Sequence, residues 1–273
     1  MNRKDSRDNL DEVSAVQRTA GRVTSKDGTS IGYDRAGTGP VLILVDGATQ
    51  YRAVDQGRDN LVKRLAPYFT VISYDRRGRG ESDNTLPFAV EREIEDLEAL
   101  IDQAGGTAFL YGMSSGAALA FEAALKLDGK VKGLAMYEVP YNSDPAAQQA
   151  WQEYARKLGE HLAAGRRGDA FALFLEIVGM PQADIEGMRQ MPMWPAFEAV
   201  APTLAYDQKA LGDSAAVPTS RATRLTIPTQ VINGSASYPF MEETAAALAK
   251  ALPQGQHRVL ADQTHDVAPN VLA

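Results

Sequence analysis

The sequence predicts an α/β protein whose β-sheet is mostly parallel and is covered by helices on both faces. Short apolar runs at residues 41–45 and 69–74 alternate with longer stretches of helical apolar spacing at residues 51–65 and 89–104. This alternation is typical of strands that are joined by helical crossovers and therefore run parallel in one sheet. Two further short strands are expected on either side of a turn at residues 26–28.

A long helical stretch interrupts this alternation in the second half of the chain. From Asp144 to about Asp213 the apolar residues keep helical spacing, with no strand pattern between them. Such a stretch predicts a helical cap that is inserted between two strands of the sheet domain. A C-terminal helix is expected to follow the last strand and to continue past Ala273. We therefore expect a polar N-terminal lead (residues 1–20), a core in two pieces (residues 21–140 and 214–273) and the helical cap (residues 141–213).

Composition disfavours several classes of protein. The 273 residues carry a formal net charge of -7, which argues against nucleic acid or an anionic membrane as the main partner. There is no cysteine, so disulfides, thiol catalysis and cysteine metal sites are excluded. Residues 1–22 are polar and lack the apolar core of a signal peptide, and no run is long enough to span a bilayer. The expected location is the cytoplasm.

A short motif after one apolar run indicates a nucleophile. Residues 112–116 read Gly-Met-Ser-Ser-Gly, and they follow the apolar residues 107–111 and precede an alanine-rich helical stretch. In this strand–turn–helix context, a Gly-x-Ser-x-Gly sequence forms a sharp turn that exposes the central serine. The two glycines remove side chains that would collide across the turn. Ser114 is therefore the candidate nucleophile, because a shift to Ser115 would place Met113 where a small residue is needed.

Three further segments are informative beside the serine motif. Residues 75–82 read Asp-Arg-Arg-Gly-Arg-Gly-Glu-Ser, residues 41–47 form an apolar run that ends in Asp-Gly, and residues 227–234 begin Ile-Pro and end Asn-Gly. Together with the serine motif, these segments resemble the α/β-hydrolase family from about Gly21 to the C-terminus. The resemblance implies the α/β-hydrolase fold and a serine hydrolase that needs no metal ion and no organic cofactor.

The order of the family's motifs selects one candidate base among the three histidines. In the α/β-hydrolase family the nucleophile, the acid and the histidine follow one another along the chain, and the histidine comes after the last strand. His265 lies in a loop after the expected strand at residues 257–260. His257 opens that strand, and His161 lies in a charged helical stretch. We therefore expect His265 to be the general base that accepts the Ser114 proton.

The acid of the expected triad does not stand where the family usually has it. The late strand normally ends in Gly-x-x-Asp, but here Ser237 occupies the aspartate position, and a serine carries no charge to stabilise an imidazolium. Some family members take the acid from the preceding strand, where Glu138 ends the apolar run 131–137 just before Pro140. Glu138 is the candidate acid, and the alternative is a glutamate that forms a salt bridge at a strand end.

The oxyanion hole is expected to use backbone N–H groups, so Asp46 in place of the family's usual histidine need not abolish it. The candidate donors are the N–H of Ser115 and one from Gly47 or Ala48. The Asp-Gly loop, the Ser-Ser-Gly motif and the Glu-Val-Pro sequence at residues 138–140 also resemble lactonases of the zearalenone-hydrolase type. This second resemblance covers only short segments around the site.

Bulky apolar side chains near the expected site are candidate substrate contacts. Trp194, Met191 and Met193 lie in a proline-interrupted stretch of the expected cap, and Met113 precedes the nucleophile. Apolar residues at helical spacing commonly pack a core, but methionines also form adaptable walls of binding sites. Both interpretations stay open for the cap residues, and we take all four residues as candidate substrate contacts.

The predicted activity is hydrolysis of a carboxylic ester or lactone by a triad of Ser114, His265 and Glu138 through an acyl-enzyme. The expected substrate is a small hydrophobic molecule, because Trp194 and the methionines of the expected cap suit a bulky apolar group. The acidic charge of the protein also suits a neutral substrate better than a strongly anionic one. A small-molecule receptor or signalling protein of the same fold, with slow turnover, is the alternative. Ester and lactone both stay open as substrates, and so do a monomer and a homodimer.

Overall fold

The computed structural model describes residues 16–273, which form an eight-stranded β-sheet. The strands are β1 (Arg18–Thr24), β2 (Ser30–Ala36), β3 (Val41–Val45), β4 (Thr70–Tyr74), β5 (Ala108–Met113), β6 (Val131–Tyr137), β7 (Thr229–Gly234) and β8 (Gly255–Leu260). They lie in the order β1-β2-β4-β3-β5-β6-β7-β8. β2 pairs antiparallel with β1 and β4, and all other neighbouring strands are parallel. The prediction of a mostly parallel sheet is confirmed.

Helices connect most of these strands. Outside the long insertion they are α1 (Gln56–Leu65), α2 (Val90–Gln103), α3 (Ser115–Lys126), α9 (Thr219–Ala222), α10 (Pro239–Ala251) and α11 (Pro269–Leu272). α1 is shorter than the predicted stretch 51–65, because Asp55 caps its N-terminus by accepting a hydrogen bond from the backbone N–H of Arg58 at 3.0 Å. α11 follows the last strand, as expected for the C-terminal helix.

Alternating side chains of β3 show that both faces of the sheet are buried. Ile43 and Val45 pack into a core with α2, α3 and α10, whereas Leu42 and Leu44 pack with α1 on the opposite face. Helices therefore lie on both faces, as the alternation of strands and helices predicts. The cover is incomplete on the α1 face, where an apolar groove of about 450 Å³ runs beside β5 to β8 and leaves Phe109 38% exposed.

β1 begins inside the segment that was predicted to be a polar lead. It forms a hairpin with β2, and the backbone N–H of Ser25 closes the turn by donating to the carbonyl of Thr29 at 2.8 Å. Gly28 adopts a positive φ of 87° in this turn. Strand structure therefore replaces the predicted lead from Arg18 onwards, and residues 1–15 lie outside the described residues.

Five helices and a short 3₁₀ helix separate β6 from α9. They are α4 (Pro145–Ala163), α5 (Arg167–Ile177), α6 (Gln182–Arg189), α7 (Trp194–Val200), the 3₁₀ helix Ala201–Thr203 and α8 (Leu204–Leu211). We call residues 145–211 the helical insertion. It has an apolar cluster of its own that includes Phe171 and Trp194, and α8 packs against α3. Within residues 16–273, no helix has the length and apolar character needed to cross a bilayer.

Candidate active site

Ser114 lies in a strained turn between β5 and α3. Its backbone adopts φ 54° and ψ −128°, a combination that L-residues rarely occupy. The turn is so tight that a Cβ on Gly112 would lie 2.5 Å from the Cα of Ala117. A Cβ on Gly116 would collide with the carbonyl oxygen of Val45. Both glycines are therefore required sterically, and the chain holds Ser114 at the carboxyl end of β5.

Glu138 lies directly after β6 and is buried, with 2% of its surface exposed. Its carboxylate accepts hydrogen bonds from the backbone N–H of Gly234 at 2.9 Å and from Ser237 Oγ at 2.8 Å. His265 Nδ1 lies 2.8 Å from the oxygen that Ser237 also contacts. Burial by itself raises the pKa of Glu138, but these three partners outweigh it and hold that pKa below its usual range. The carboxylate is therefore ionised at neutral pH.

His265 lies in the loop between β8 and α11 and lines the same cavity as Ser114. The Glu138 carboxylate contacts Nδ1, so Nε2 is the ring nitrogen that is left to accept a proton from the serine. Among the described residues no hydrogen bond joins His265 to Ser114, and catalytic hydrogen bonds of this kind commonly tighten only when a substrate is bound. His161 lies on α4 and His257 on β8, and neither lines this cavity.

The turn after β7 and the last residue of β6 support the loop that carries the histidine. The backbone N–H of Ala236 donates to the carbonyl of Gln263 at 2.9 Å, and the Tyr137 hydroxyl donates to the carbonyl of Thr264. A Cβ on Gly234 would collide with the carbonyl oxygen of Gln263. This turn stands where the family usually places its acid, and here it positions Glu138 and the histidine loop.

The backbone N–H groups of Ser115 and Ala48 are available to hold an oxyanion. In the part of the chain that the structure describes, neither group donates a hydrogen bond, and both residues line the cavity with Ser114. Gly47, the other predicted donor, uses its N–H for a hydrogen bond to Gln50 Oε1 at 2.9 Å. Ala48 is therefore the candidate donor of this loop. Gly47 instead allows close approach, since a Cβ there would lie 3.1 Å from the Cβ of Ser114.

Asp46 replaces the family's usual histidine without pointing into the cavity. Its side chain is buried and faces the guanidinium of Arg58 on α1. The carbonyl oxygen of Asp46 accepts a hydrogen bond from Arg76 Nη1 at 3.2 Å. These contacts tie the loop that carries Gly47 and Ala48 to α1 and to the turn after β4.

One buried carboxylate of the helical insertion, that of Asp207, contacts two buried arginines and the residue after Ser114. Asp207 on α8 accepts hydrogen bonds from Arg76 Nη1 and Arg79 Nη2, each at 2.6 Å, and from Ser115 Oγ at 2.8 Å. Burial by itself raises the pKa of Asp207, but the charges of Arg79 and Arg76 outweigh it and hold that pKa below its usual range. Sequence reasoning missed Asp207, because no motif marks a residue whose partners lie 92 to 131 positions away.

A cavity of about 630 Å³ opens beside Ser114 and His265. Most of its wall is apolar, and Met113, one of the candidate substrate contacts, is part of the lining. The helical insertion and the start of α10 supply the aromatic part of the lining, which includes Trp151, Tyr154, Phe174, Tyr238 and Phe240. This volume and lining suit a small hydrophobic molecule. Within residues 16–273, the histidine, aspartate and glutamate side chains form no cluster of three or more that could bind a metal ion.

Three of the four predicted substrate contacts lie elsewhere, and for them the prediction is wrong. Trp194 is 6% exposed and packs edge-on against Phe171, with ring centroids 5.3 Å apart. Met191 and Met193 are about half exposed and do not line the cavity. The packing of α5 explains this. Phe174 lines the cavity, whereas Phe171, one turn earlier, contacts α7, the helix that begins at Trp194. Trp194 therefore belongs to the apolar cluster of the helical insertion.

The fold and this site define the class of protein. The model of the alpha/beta hydrolase family matches residues 42–271, and the chain belongs to that family. An alpha/beta hydrolase from Sphaerobacter thermophilus DSM 20745 is 46% identical over 93% of this chain and 97% of that chain, with a TM-score of 0.79. A thermophilic esterase from Thermogutta terrifontis is 25% identical over 90% of this chain and 91% of that chain, with a TM-score of 0.64. The uncharacterized hydrolase YraK of Bacillus subtilis (strain 168) is 30% identical over 108 residues, which span 36% of this chain and 37% of that protein.

Proposed function

We propose that the protein hydrolyses carboxylic esters or lactones with Ser114 as nucleophile, His265 as base and Glu138 as the acid of the triad. The observation that carries this proposal is the 2.8 Å contact between His265 Nδ1 and Glu138, at a cavity that also contains Ser114 in its strained turn. Membership of the alpha/beta hydrolase family and the likeness to an esterase support hydrolysis of this kind.

The proposed reaction begins when Ser114 Oγ attacks the carbonyl carbon of the substrate and His265 Nε2 accepts the hydroxyl proton. Glu138 holds the imidazole at Nδ1 and stabilises its positive charge. The N–H groups of Ser115 and Ala48 stabilise the oxyanion of the tetrahedral intermediate. The intermediate then expels the alcohol, which takes the proton from His265. Water activated by the same histidine finally releases the acid from the acyl-enzyme.

The cavity lining supports a hydrophobic substrate. Its aromatic wall offers apolar contacts to an acyl chain or ring, and burial of about 100 Å² of apolar surface contributes about 2.5 kcal/mol. The local resemblance to lactonases, carried by the Asp-Gly loop, the Ser-Ser-Gly motif and Glu138, supports cyclic esters as substrates. We therefore include lactones of hydrophobic character in the proposed substrate class, with polar or charged acyl groups disfavoured.

Turnover distinguishes this proposal from a receptor of the same fold. We expect sustained release of p-nitrophenol from p-nitrophenyl butyrate, together with hydrolysis of some members of a panel of hydrophobic lactones. The physical reason is that His265, paired with Glu138, can activate both the serine and the water that hydrolyses the acyl-enzyme. Very slow turnover, combined with a melting temperature that rises strongly with ligand, would contradict the proposal and favour a receptor.

Trp151→Ala should weaken the binding of bulky substrates more than that of small ones. Trp151 lines the cavity, and its Nε1 donates to the carbonyl of Gly212 at 3.0 Å, which holds the ring in place. We expect KM for p-nitrophenyl benzoate to rise roughly tenfold, which corresponds to about 1.4 kcal/mol. KM for p-nitrophenyl acetate should change less, because the small acyl group does not reach this wall.

Trp194→Leu is the matched control, because Trp194 is buried in the cluster of the helical insertion and does not line the cavity. It should lower the melting temperature and change KM for both esters by the same factor. A larger selective effect for Trp194→Leu than for Trp151→Ala would show that the wall of the pocket is wrongly assigned.

A further inference from the structure

We propose that Asp207 is a positioning residue that aligns both oxyanion donors, the N–H groups of Ser115 and Ala48. This role rests on the ester hydrolysis proposed above and places the support of its oxyanion hole in the helical insertion. Asp207 lies on α8 and is 4% exposed. Its two carboxylate oxygens reach the two donors by separate routes, one through a serine side chain and one through an arginine.

The first donor is positioned through the side chain of Ser115. Ser115 Oγ donates to Asp207 Oδ1 at 2.8 Å, and Ser115 is 2% exposed. Ser115 is the first residue of α3, so its own N–H is one of the groups that a helix N-terminus leaves without an intrahelical partner. That N–H belongs to the residue after the nucleophile and therefore lies close to where the carbonyl oxygen of the substrate becomes an oxyanion. The hydrogen bond to Asp207 therefore sets where this donor lies.

The second donor is positioned through a peptide unit. Arg79 Nη1 donates to the carbonyl oxygen of Gly47 at 2.6 Å. The C=O of Gly47 and the N–H of Ala48 belong to one planar trans peptide and point in opposite directions. The guanidinium therefore aims the Ala48 N–H away from Arg79. A charged donor on the carbonyl also polarises the peptide, which strengthens the N–H as a donor to an oxyanion.

Asp207 determines where Arg79 points. Its Oδ2 accepts from Arg79 Nη2 at 2.6 Å, and among residues 16–273 it is the one carboxylate that forms an ion pair with this guanidinium. The other partners of the Arg79 side chain are neutral. Nε donates to Thr203 Oγ1 at 3.0 Å, and Nη1 donates to the carbonyl oxygens of Gly47 and Gln50 at 2.6 and 3.4 Å. Arg76, by contrast, keeps a two-point ion pair with Glu93 at 2.7 and 2.8 Å. Loss of the Asp207 charge should therefore loosen Arg79 more than Arg76.

Arg77 provides an internal comparison. It is buried in the same turn and pairs with Asp96 through Nε at 2.8 Å and Nη2 at 2.7 Å. Its remaining side-chain contacts go to Asp27 and to the carbonyl of Arg92, not to the oxyanion donors. Removing one partner of a buried ion pair is costly to stability in either case. Asp96→Asn therefore disturbs a pair of the same kind and leaves both donors in place.

The test compares Asp207→Asn with Asp96→Asn in the full chain. The measurements are kcat and KM for p-nitrophenyl butyrate, and inhibition by a trifluoromethyl ketone and by the corresponding alcohol. Ser114 converts the ketone into a tetrahedral oxyanion, whereas the alcohol binds without forming one. We expect Asp207→Asn to lower kcat by roughly 10- to 100-fold, somewhat less than deletion of a donor, with little change in KM. Affinity for the ketone should fall by a similar factor, and affinity for the alcohol should not change.

Asp96→Asn should lower the melting temperature and leave kcat and ketone affinity close to those of the wild type. Equal kcat and equal ketone affinity in the two variants would overturn the role of Asp207.

If Asp207→Asn does not fold, Ser115→Ala decides, because it removes only the hydroxyl contact and keeps the N–H. A fall in kcat of roughly three- to tenfold supports the proposal, and an unchanged kcat overturns it. A wild-type protein that neither hydrolyses the ester nor binds the ketone would instead contradict the proposed function, which separates the two failures.

Discussion

Ser114→Ala should abolish ester hydrolysis and leave the fold unchanged. The substitution removes the one atom that attacks the substrate, and losses for the nucleophiles of serine triads are on the order of a millionfold in kcat. The side chain of Ser114 faces the cavity, so its truncation removes little packing. Hydrolysis of p-nitrophenyl butyrate, the melting temperature and covalent labelling by a fluorophosphonate measure the three parts of this expectation.

Ser220→Ala is the matched control for this substitution. Ser220 is exposed on α9, away from the cavity, and its variant should keep both turnover and labelling. If Ser114→Ala kept more than a small fraction of the activity, or was still labelled by the fluorophosphonate, another residue would have to be the nucleophile.

Glu138→Gln should lower kcat by roughly a thousandfold or more. Glu138 is ionised and contacts His265 Nδ1 at 2.8 Å, so Nε2 is the ring nitrogen that is left to accept the serine proton. A glutamine can present an amide N–H to Nδ1, which favours the wrong tautomer and removes the charge that stabilises the imidazolium. The measurement is kcat and KM for p-nitrophenyl butyrate, together with the melting temperature.

Ser237→Ala is the comparison for Glu138→Gln, because Ser237 stands where the family usually has its acid. Its Oγ donates to Glu138 at 2.8 Å, but its loss should lower kcat only by about a few-fold, because the carboxylate keeps its contacts with the N–H of Gly234 and with His265. The reverse ranking, with Ser237→Ala more damaging than Glu138→Gln, would show that the acid of the triad does not follow β6.

The fold could be predicted because its signals act over short distances in the chain. The apolar run at residues 41–45 coincides with β3, since strand formation depends on the side chains within the run and on the turns that bound it. The collision that excludes a side chain at Gly112 involves Ala117, only five positions away. Such features are properties of the local sequence, and the structure confirms the sheet that they predict.

The contact between Glu138 and His265 was harder to anticipate, because 127 positions separate the two residues. The sequence indicates this pair only indirectly. Ser237 carries no charge, the family's motifs follow a fixed order, and a strand ends just before Glu138. The structure brings the pair together, and the catalytic roles of Ser114, Glu138 and His265 stay predictions for the experiments above.

By itself the sequence determined the parallel sheet and the glycine-flanked turn at Ser114, and it indicated His265 and Glu138 as candidate partners of that serine. Only the tertiary structure decided which layer of the helical insertion faces the cavity, so that Trp151 lines it and Trp194 does not. Helical periodicity identifies an apolar face, but two helices with the same periodicity differ in the neighbour that covers them. Asp207 shows the same limit for polar groups. Its partners come from the turn after β4 and the start of α3, and no spacing rule links residues that meet only when α8 packs against α3.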